Sequence, residues 1–94
     1  MTDDKLNSEF VKAKAGKLFG DNAPFVIQLL ESASFPLTNE NIRIHLAILK
    51  LSNGDLSEFE DALKAAESDW RDVLLWSGLA NADWHKAAIS EDFI

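Results

Sequence analysis

Cysteine is absent from these 94 residues, which removes disulfides, thiol nucleophiles and thiolate metal sites. Tyrosine is also absent, and proline occurs only twice. The four glycines are scattered, so no glycine-rich phosphate loop is present. No apolar run approaches the ~20 residues of a membrane span. Positive charge is scarce, with 9 Lys+Arg against 16 Asp+Glu and a net charge of −7. Phosphate backbones and anionic membranes need a basic face, so neither nucleic acid nor membrane is expected as a partner. The start, Met1-Thr2-Asp3-Asp4, lacks the basic and apolar regions of a secretory signal. A cytoplasmic setting is the expectation.

What is present is a chain rich in helical pattern. Its length suits one domain, 1–94, with residues 1–5 and 90–94 as loose ends. The most informative stretch is Arg43-Ile44-His45-Leu46-Ala47-Ile48-Leu49-Lys50-Leu51-Ser52-Asn53-Gly54-Asp55-Leu56. A strand is the rival, because Ile42, Ile44, Leu46 and Ile48 alternate with Arg43, His45 and Ala47. The alternation fails at Ile48-Leu49. At about 100° per residue, Arg43 and Lys50 align as a narrow polar strip on an otherwise apolar helix. A helix of that kind should be central and covered on most sides. Gly54 should stop it as a C-terminal cap, and Asp55 with Glu58 should restart the next as a D-x-x-E capping box. So short an elbow makes the two helices antiparallel neighbours.

The other segments follow the same logic. A first helix over 3–19 carries two competing stripes, Leu6/Phe10/Ala13 and Val11/Ala15/Leu18, and Gly20 ends it. Asn22 is a candidate cap for a second helix, with Pro24 in its first turn and Phe25, Val26, Leu29, Leu30 and Ala33 on its face. Phe35-Pro36 stops it, and Thr38 or Asn39 caps the third. Leu56, Phe59, Ala62, Leu63 and Ala66 line the fourth. Ser68 or Asp69 caps a short fifth helix to Ser77, closed by Gly78, and Asp83 can open a last turn. The fold class expected is therefore all-α: a compact bundle of about five helices, as two helical hairpins plus a short C-terminal helix. Its expected core is Phe25, Leu29, Leu30, Ile42, Leu46, Leu49, Phe59, Leu63, Val73 and Leu74.

The run from Arg43 to Leu56, followed by Asp69-Trp70-Arg71-Asp72-Val73-Leu74 and Gly78-Leu79-Ala80, resembles a group of small uncharacterised bacterial proteins. The resemblance covers about the C-terminal half. It implies a helical fold and a bacterial cytoplasmic setting, and it brings no activity or ligand with it. The echo of Lys17-Leu18-Phe19-Gly20-Asp21 in Lys50-Leu51-Ser52-Asn53-Gly54-Asp55 lacks the tryptophan–tyrosine signature of tetratricopeptide repeats. Shared capping chemistry explains it.

Few residues invite chemistry. His45 falls within the apolar arc of the third helix. It is either a packed imidazole bonded to another helix, the favoured reading, or the centre of a ligand or catalytic site. His85 is the only other histidine, no metal-ligand spacing is present, and no catalytic residue, cofactor or metal is expected. The carboxylates fall on wet helix faces with nothing to shift their pKa values, so an enzyme is not expected. The acid-free stretch holding Lys12, Lys14 and Lys17 reads as a solvated helix end, with a docking face as its alternative.

The aromatic C-terminus carries more. In the fifth helix Trp70, Val73, Leu74 and Ser77 share a face, while Leu75 and Trp76 point away. Either Trp84 and Phe93 fold back from the tail over that second face, the favoured reading, or it meets a partner. On the second reading Trp76, Leu75 and Trp84 form a docking surface with Arg71 at its rim and the acidic flank of helix four, Glu58 and Asp61, beside it. The function expected is a noncatalytic protein-interaction module of adaptor, regulatory or acidic-inhibitor type. Its partner is another protein or a second copy of the chain as a homodimer. The alternative is a small ligand-binding protein or enzyme built around His45.

Overall fold

The most apolar segment of the sequence becomes the centre of the molecule. The computed structural model describes residues 8–35, 41–80, 84 and 86. It is all-α, with no strand among the described residues. Helix α1 (Ser8–Phe19) runs through a 3-10 turn at Gly20–Asn22 into α2 (Ala23–Ser32); α3 (Asn41–Ser52) and α4 (Leu56–Ser77) follow. No residue from 42 to 52 is exposed, and Ile44, Leu46, Ala47, Ile48, Leu49 and Ser52 are buried outright. Each fully buried leucine or isoleucine there contributes about 1.5–3 kcal/mol of transfer free energy. α4 packs against α3 more extensively than any other helix does, through Phe59, Ala62, Leu63 and Ala66. The Cα radius of gyration, 11.9 Å, is that of a compact globule.

The elbow between α3 and α4 shows why glycine stands at position 54. Asn53 (φ 49°) and Gly54 (φ 83°) both take left-handed angles. A Cβ on Gly54 would sit 2.9 Å from the Leu18 carbonyl oxygen of α1. α1 therefore lands its last turn on the elbow, where Phe19 also meets Phe59 edge-on at 5.7 Å between ring centroids. Of the two stripes on α1, the one through Val11 and Ala15 is buried and extends to Phe19; Ala13 is exposed.

Several local expectations are corrected. Asn22 makes no side-chain cap, because the 3-10 turn enters α2 with helical angles already in place. α2 ends at Ser32, where Ala33 turns extended (ψ 146°), rather than at Phe35. Its buried face is Ala23, Val26 and Leu30; Leu29 is half-buried and Phe25 is 46% exposed. The short link pins Phe19 and Ala23 in the core, which sets the rotation of α2 and swings Phe25 out. Ile42, also expected in the core, is half-buried. Only half of the capping box forms. Asp55 accepts from the Glu58 backbone N–H at 3.0 Å, but the Asp55 N–H goes to the Ser52 carbonyl at 2.9 Å. The Glu58 side chain is thereby left over. Pro36, Thr38, Asn39, Asp83, His85 and Phe93, and the ends 1–5 and 90–94, lie outside the described residues.

Both α3 and α4 close with a buried serine. Ser52 Oγ donates to the Leu49 carbonyl at 2.6 Å and accepts from Gly54 N–H at 3.4 Å. Ser77 Oγ donates to Leu74 at 3.1 Å and accepts from Leu79 N–H at 3.3 Å. Gly78 (φ 83°) then reverses the chain, and a Cβ there would meet only the Lys50 ammonium at 3.8 Å.

These two glycines make a matched test. Gly78→Ala should cost roughly 1 kcal/mol, the backbone strain alone. Gly54→Ala adds a collision with α1 backbone and should cost roughly 2–4 kcal/mol. Chemical denaturation of both variants measures the difference; equal losses would show that α1 does not press on the elbow.

Candidate functional site

The second half of α4 builds the surface singled out in the sequence. Asp69 leaves helical geometry (φ −152°, ψ 95°) and breaks α4. Its Oδ1 accepts from the Arg71 backbone N–H at 3.1 Å, so it caps the stretch that follows. That stretch turns Val73, Leu74 and Ser77 inward, leaves Trp70 half-buried, and presents Leu75 and Trp76 outward at 66% and 62% exposure. The expected division of this helix into two faces is what is observed.

The structure brings three of the six candidate residues together. Trp76, Glu58 and Asp61 line one open groove of about 180 Å³, floored by Leu51 of α3 and Ala62 of α4. Glu58 and Asp61 lie one turn apart on the same face of α4, which is why both reach it. Leu51 and Ala62 had no part in the sequence-level surface; only the pairing of α3 with α4 shows that they meet under Trp76.

The remaining candidates are placed elsewhere. Arg71 is exposed, and its guanidinium is held by Asp69, Nε to Oδ1 at 3.0 Å and Nη2 to Oδ2 at 3.3 Å. The bond from that side chain, then the one from Arg71 N–H, holds the Asp69 carboxyl below the usual aspartate range. Leu75 stands beside Trp76 in sequence but does not line the groove. Of the two tail residues expected over Trp76, Trp84 packs elsewhere, and Phe93 lies outside the described residues. The Trp84 ring lies 5.2 Å from the Arg43 guanidinium carbon, packed against the core. Arg43 Nε also donates to the Leu79 carbonyl at 2.8 Å. The Arg43/Lys50 strip thus serves the turn after α4, a role the sequence reading missed although the strip itself was visible. On α1, Lys12 pairs with Glu9 at 3.8 Å and Lys14 stands 5.2 Å over the Phe10 ring.

His45 occupies a second, smaller cleft. It is half-buried in α3, with the Phe35 ring edge-on at 5.8 Å. Ser8, Val11 and Lys12 of α1 and Ile27, Leu30 and Glu31 of α2 share this cleft of about 50 Å³. Burial pushes the imidazole pKa below its ordinary 6.5, outweighing the Leu30 carbonyl and the Glu31 charge, both of which favour the protonated ring. Drug-sized ligands fill hundreds of Å³, so this space suits packing and a water or two. Among the described residues, no three His, Asp or Glu side chains come together as a metal site, and no helix is long and apolar enough to cross a membrane.

No family model, curated protein or solved structure matches the chain.

The depressed pKa of His45 makes stability depend on pH in a definite sense. Above about pH 6.5 the imidazole is neutral in both states and its contribution is complete. As pH falls below 6.5, the unfolded chain takes up a proton that the folded chain resists, and stability is lost. Denaturation at pH 7 and pH 5 should therefore show a loss in the native chain that is smaller in His45→Gln. The same loss in both would mean that His45 is not the group responsible.

Proposed function

We propose that this chain is a noncatalytic protein-interaction module, and that it binds through the Trp76 face of α4 a partner with a basic surface. The observation that carries the reading is the pair Leu75 and Trp76, 66% and 62% exposed on a helix whose other side is core. A large indole left in water beside a groove has the character of an interface anchor. Glu58 and Asp61 at that groove, and a net charge of −7, favour a basic partner and steer its approach. An adaptor, a regulatory subunit and an acidic inhibitor all fit this surface.

The resemblance of the C-terminal half to small bacterial proteins supports a bacterial, cytoplasmic setting. The break at Asp69 supports an architecture of two helical hairpins closed by a short fifth helix. The rival reading, a ligand or catalytic site at His45, has less behind it: the imidazole is half-buried against the Phe35 ring and the cleft beside it is small.

Trp76→Ala separates the roles this residue can have. Because the indole is exposed, its removal should change stability by no more than about 0.5 kcal/mol. As an anchor, its loss should weaken association by roughly 2 kcal/mol, or about thirtyfold. Thermal melts, sizing and affinity capture from host lysate, run on both chains, read these out. A basic partner held by the native chain and released by a folded variant is the expected result. Identical capture profiles and sizes for the two chains would reject the reading.

A further inference from the structure

We propose that the groove beside Trp76 receives one cationic side chain of the partner, an arginine above all, with its head between Glu58 and Asp61 and its face on the indole. This rests on the reading of the Trp76 face as a docking surface. The groove joins three chemistries in about 180 Å³: an apolar floor of Leu51 and Ala62, two carboxylates, and an exposed indole. A long basic side chain matches all three. Its aliphatic stem covers apolar surface, its charge meets carboxylate, and its head is attracted to the ring face. Arginine adds a planar fork that binds a carboxylate through two hydrogen bonds.

The two carboxylates are available for this. The Asp55 N–H that a complete capping box would give to Glu58 is bonded to Ser52 instead. Among the described residues, neither Glu58 nor Asp61 has a cation within ion-pair distance. The ion pairs there are Lys12–Glu9 and Arg71–Asp69. Both arginines of the chain are engaged elsewhere, Arg71 on Asp69 and Arg43 on the Leu79 carbonyl and Trp84. An arginine in this groove therefore comes from outside the chain. A second copy is a poorer donor, since each chain carries −7 and its basic stretch has Lys12 paired and Lys14 over Phe10. Two acidic chains repel at long range.

The test uses the full chain labelled with ¹⁵N, with the Trp76 indole N–H resonance assigned by Trp76→Phe. The probes are N-acetyl-arginine-N-methylamide and its citrulline counterpart, which keeps the shape and lacks the charge. At low salt, the arginine probe should shift the Trp76 resonance with saturation on the order of millimolar. Citrulline should bind several-fold more weakly. Glu58→Gln and Asp61→Asn should each weaken the arginine response by roughly two- to fivefold, and added salt should weaken it further. Both replacements are at exposed positions, and Glu58→Gln keeps the backbone N–H that Asp55 caps. An unmoved Trp76 resonance, an equal response to citrulline, or indifference to both substitutions would overturn the proposal. So would a Trp76 shift that follows protein concentration alone, which would assign the groove to a second copy. If the arginine probe fails while Trp76→Ala still releases the captured partner, the cation site falls and the docking face stands. If the probe binds at Trp76 and the variant releases nothing, the docking face falls and the cation site stands.

Discussion

The burial of α3 is the constraint on which the rest of this structure depends. A helix with apolar residues on nearly every side has to be sheathed, and a chain of 94 residues has little material with which to do it. α4 provides most of the cover, because the elbow at Asn53–Gly54 allows it no other course than back along α3. α1 then reaches the same elbow so closely that its Leu18 carbonyl occupies the space of a missing Cβ. One left-handed glycine thus serves a turn and a three-helix contact together. The polar atoms inside this assembly are few and bonded: Ser52 and Ser77 close the two helices on their own carbonyls, and Arg43 reaches the Leu79 carbonyl after α4.

The surface properties follow from that same packing. The core needs Phe59, Ala62, Leu63 and Ala66 of α4 turned inward, which leaves Glu58 and Asp61 on its flank. Beyond the break at Asp69 the helix turns Val73, Leu74 and Ser77 inward, and its phase then obliges Leu75 and Trp76 to face water. The groove between Trp76 and the Glu58–Asp61 flank is a by-product of how α3 and α4 pair, with Leu51 and Ala62 as its floor. The position of Trp84 is settled by a different competition. An indole at the end of a chain can cover apolar surface or stack on a cation, and here the half-buried Arg43 guanidinium offers both a ring partner and core contact.

Periodicity carried much of this into the sequence. The central helix, its apolar stripes, the stop at Gly54, the restart at Asp55 and the two-faced helix around Trp76 all depend on interactions within one or two turns. The expectations that failed share a cause as well. Phe25 looked like core because its spacing from Leu29 is helical, yet the rotation of α2 is set by the link that buries Phe19 and Ala23. Glu58 looked like half of a capping box, yet Ser52, across the elbow, took the bond. His45 was legible as a packed imidazole, but the Phe35 ring it meets lies ten residues earlier, beyond α2, and has no local signature.

By itself the sequence determined that this protein is a small helical chain without thiol chemistry, acidic overall, with one helix that must be enclosed and one tryptophan-bearing helix with two apolar faces. Those properties follow from composition, helical phase and capping, which act over a few residues. Only the tertiary structure decided which apolar face stays in water, where Trp84 goes, and that Glu58 and Asp61 share a groove with Trp76. Those outcomes depend on the rotation of each helix against its neighbours. That rotation is set by close-packing of side chains distant in sequence, to which no local pattern is sensitive.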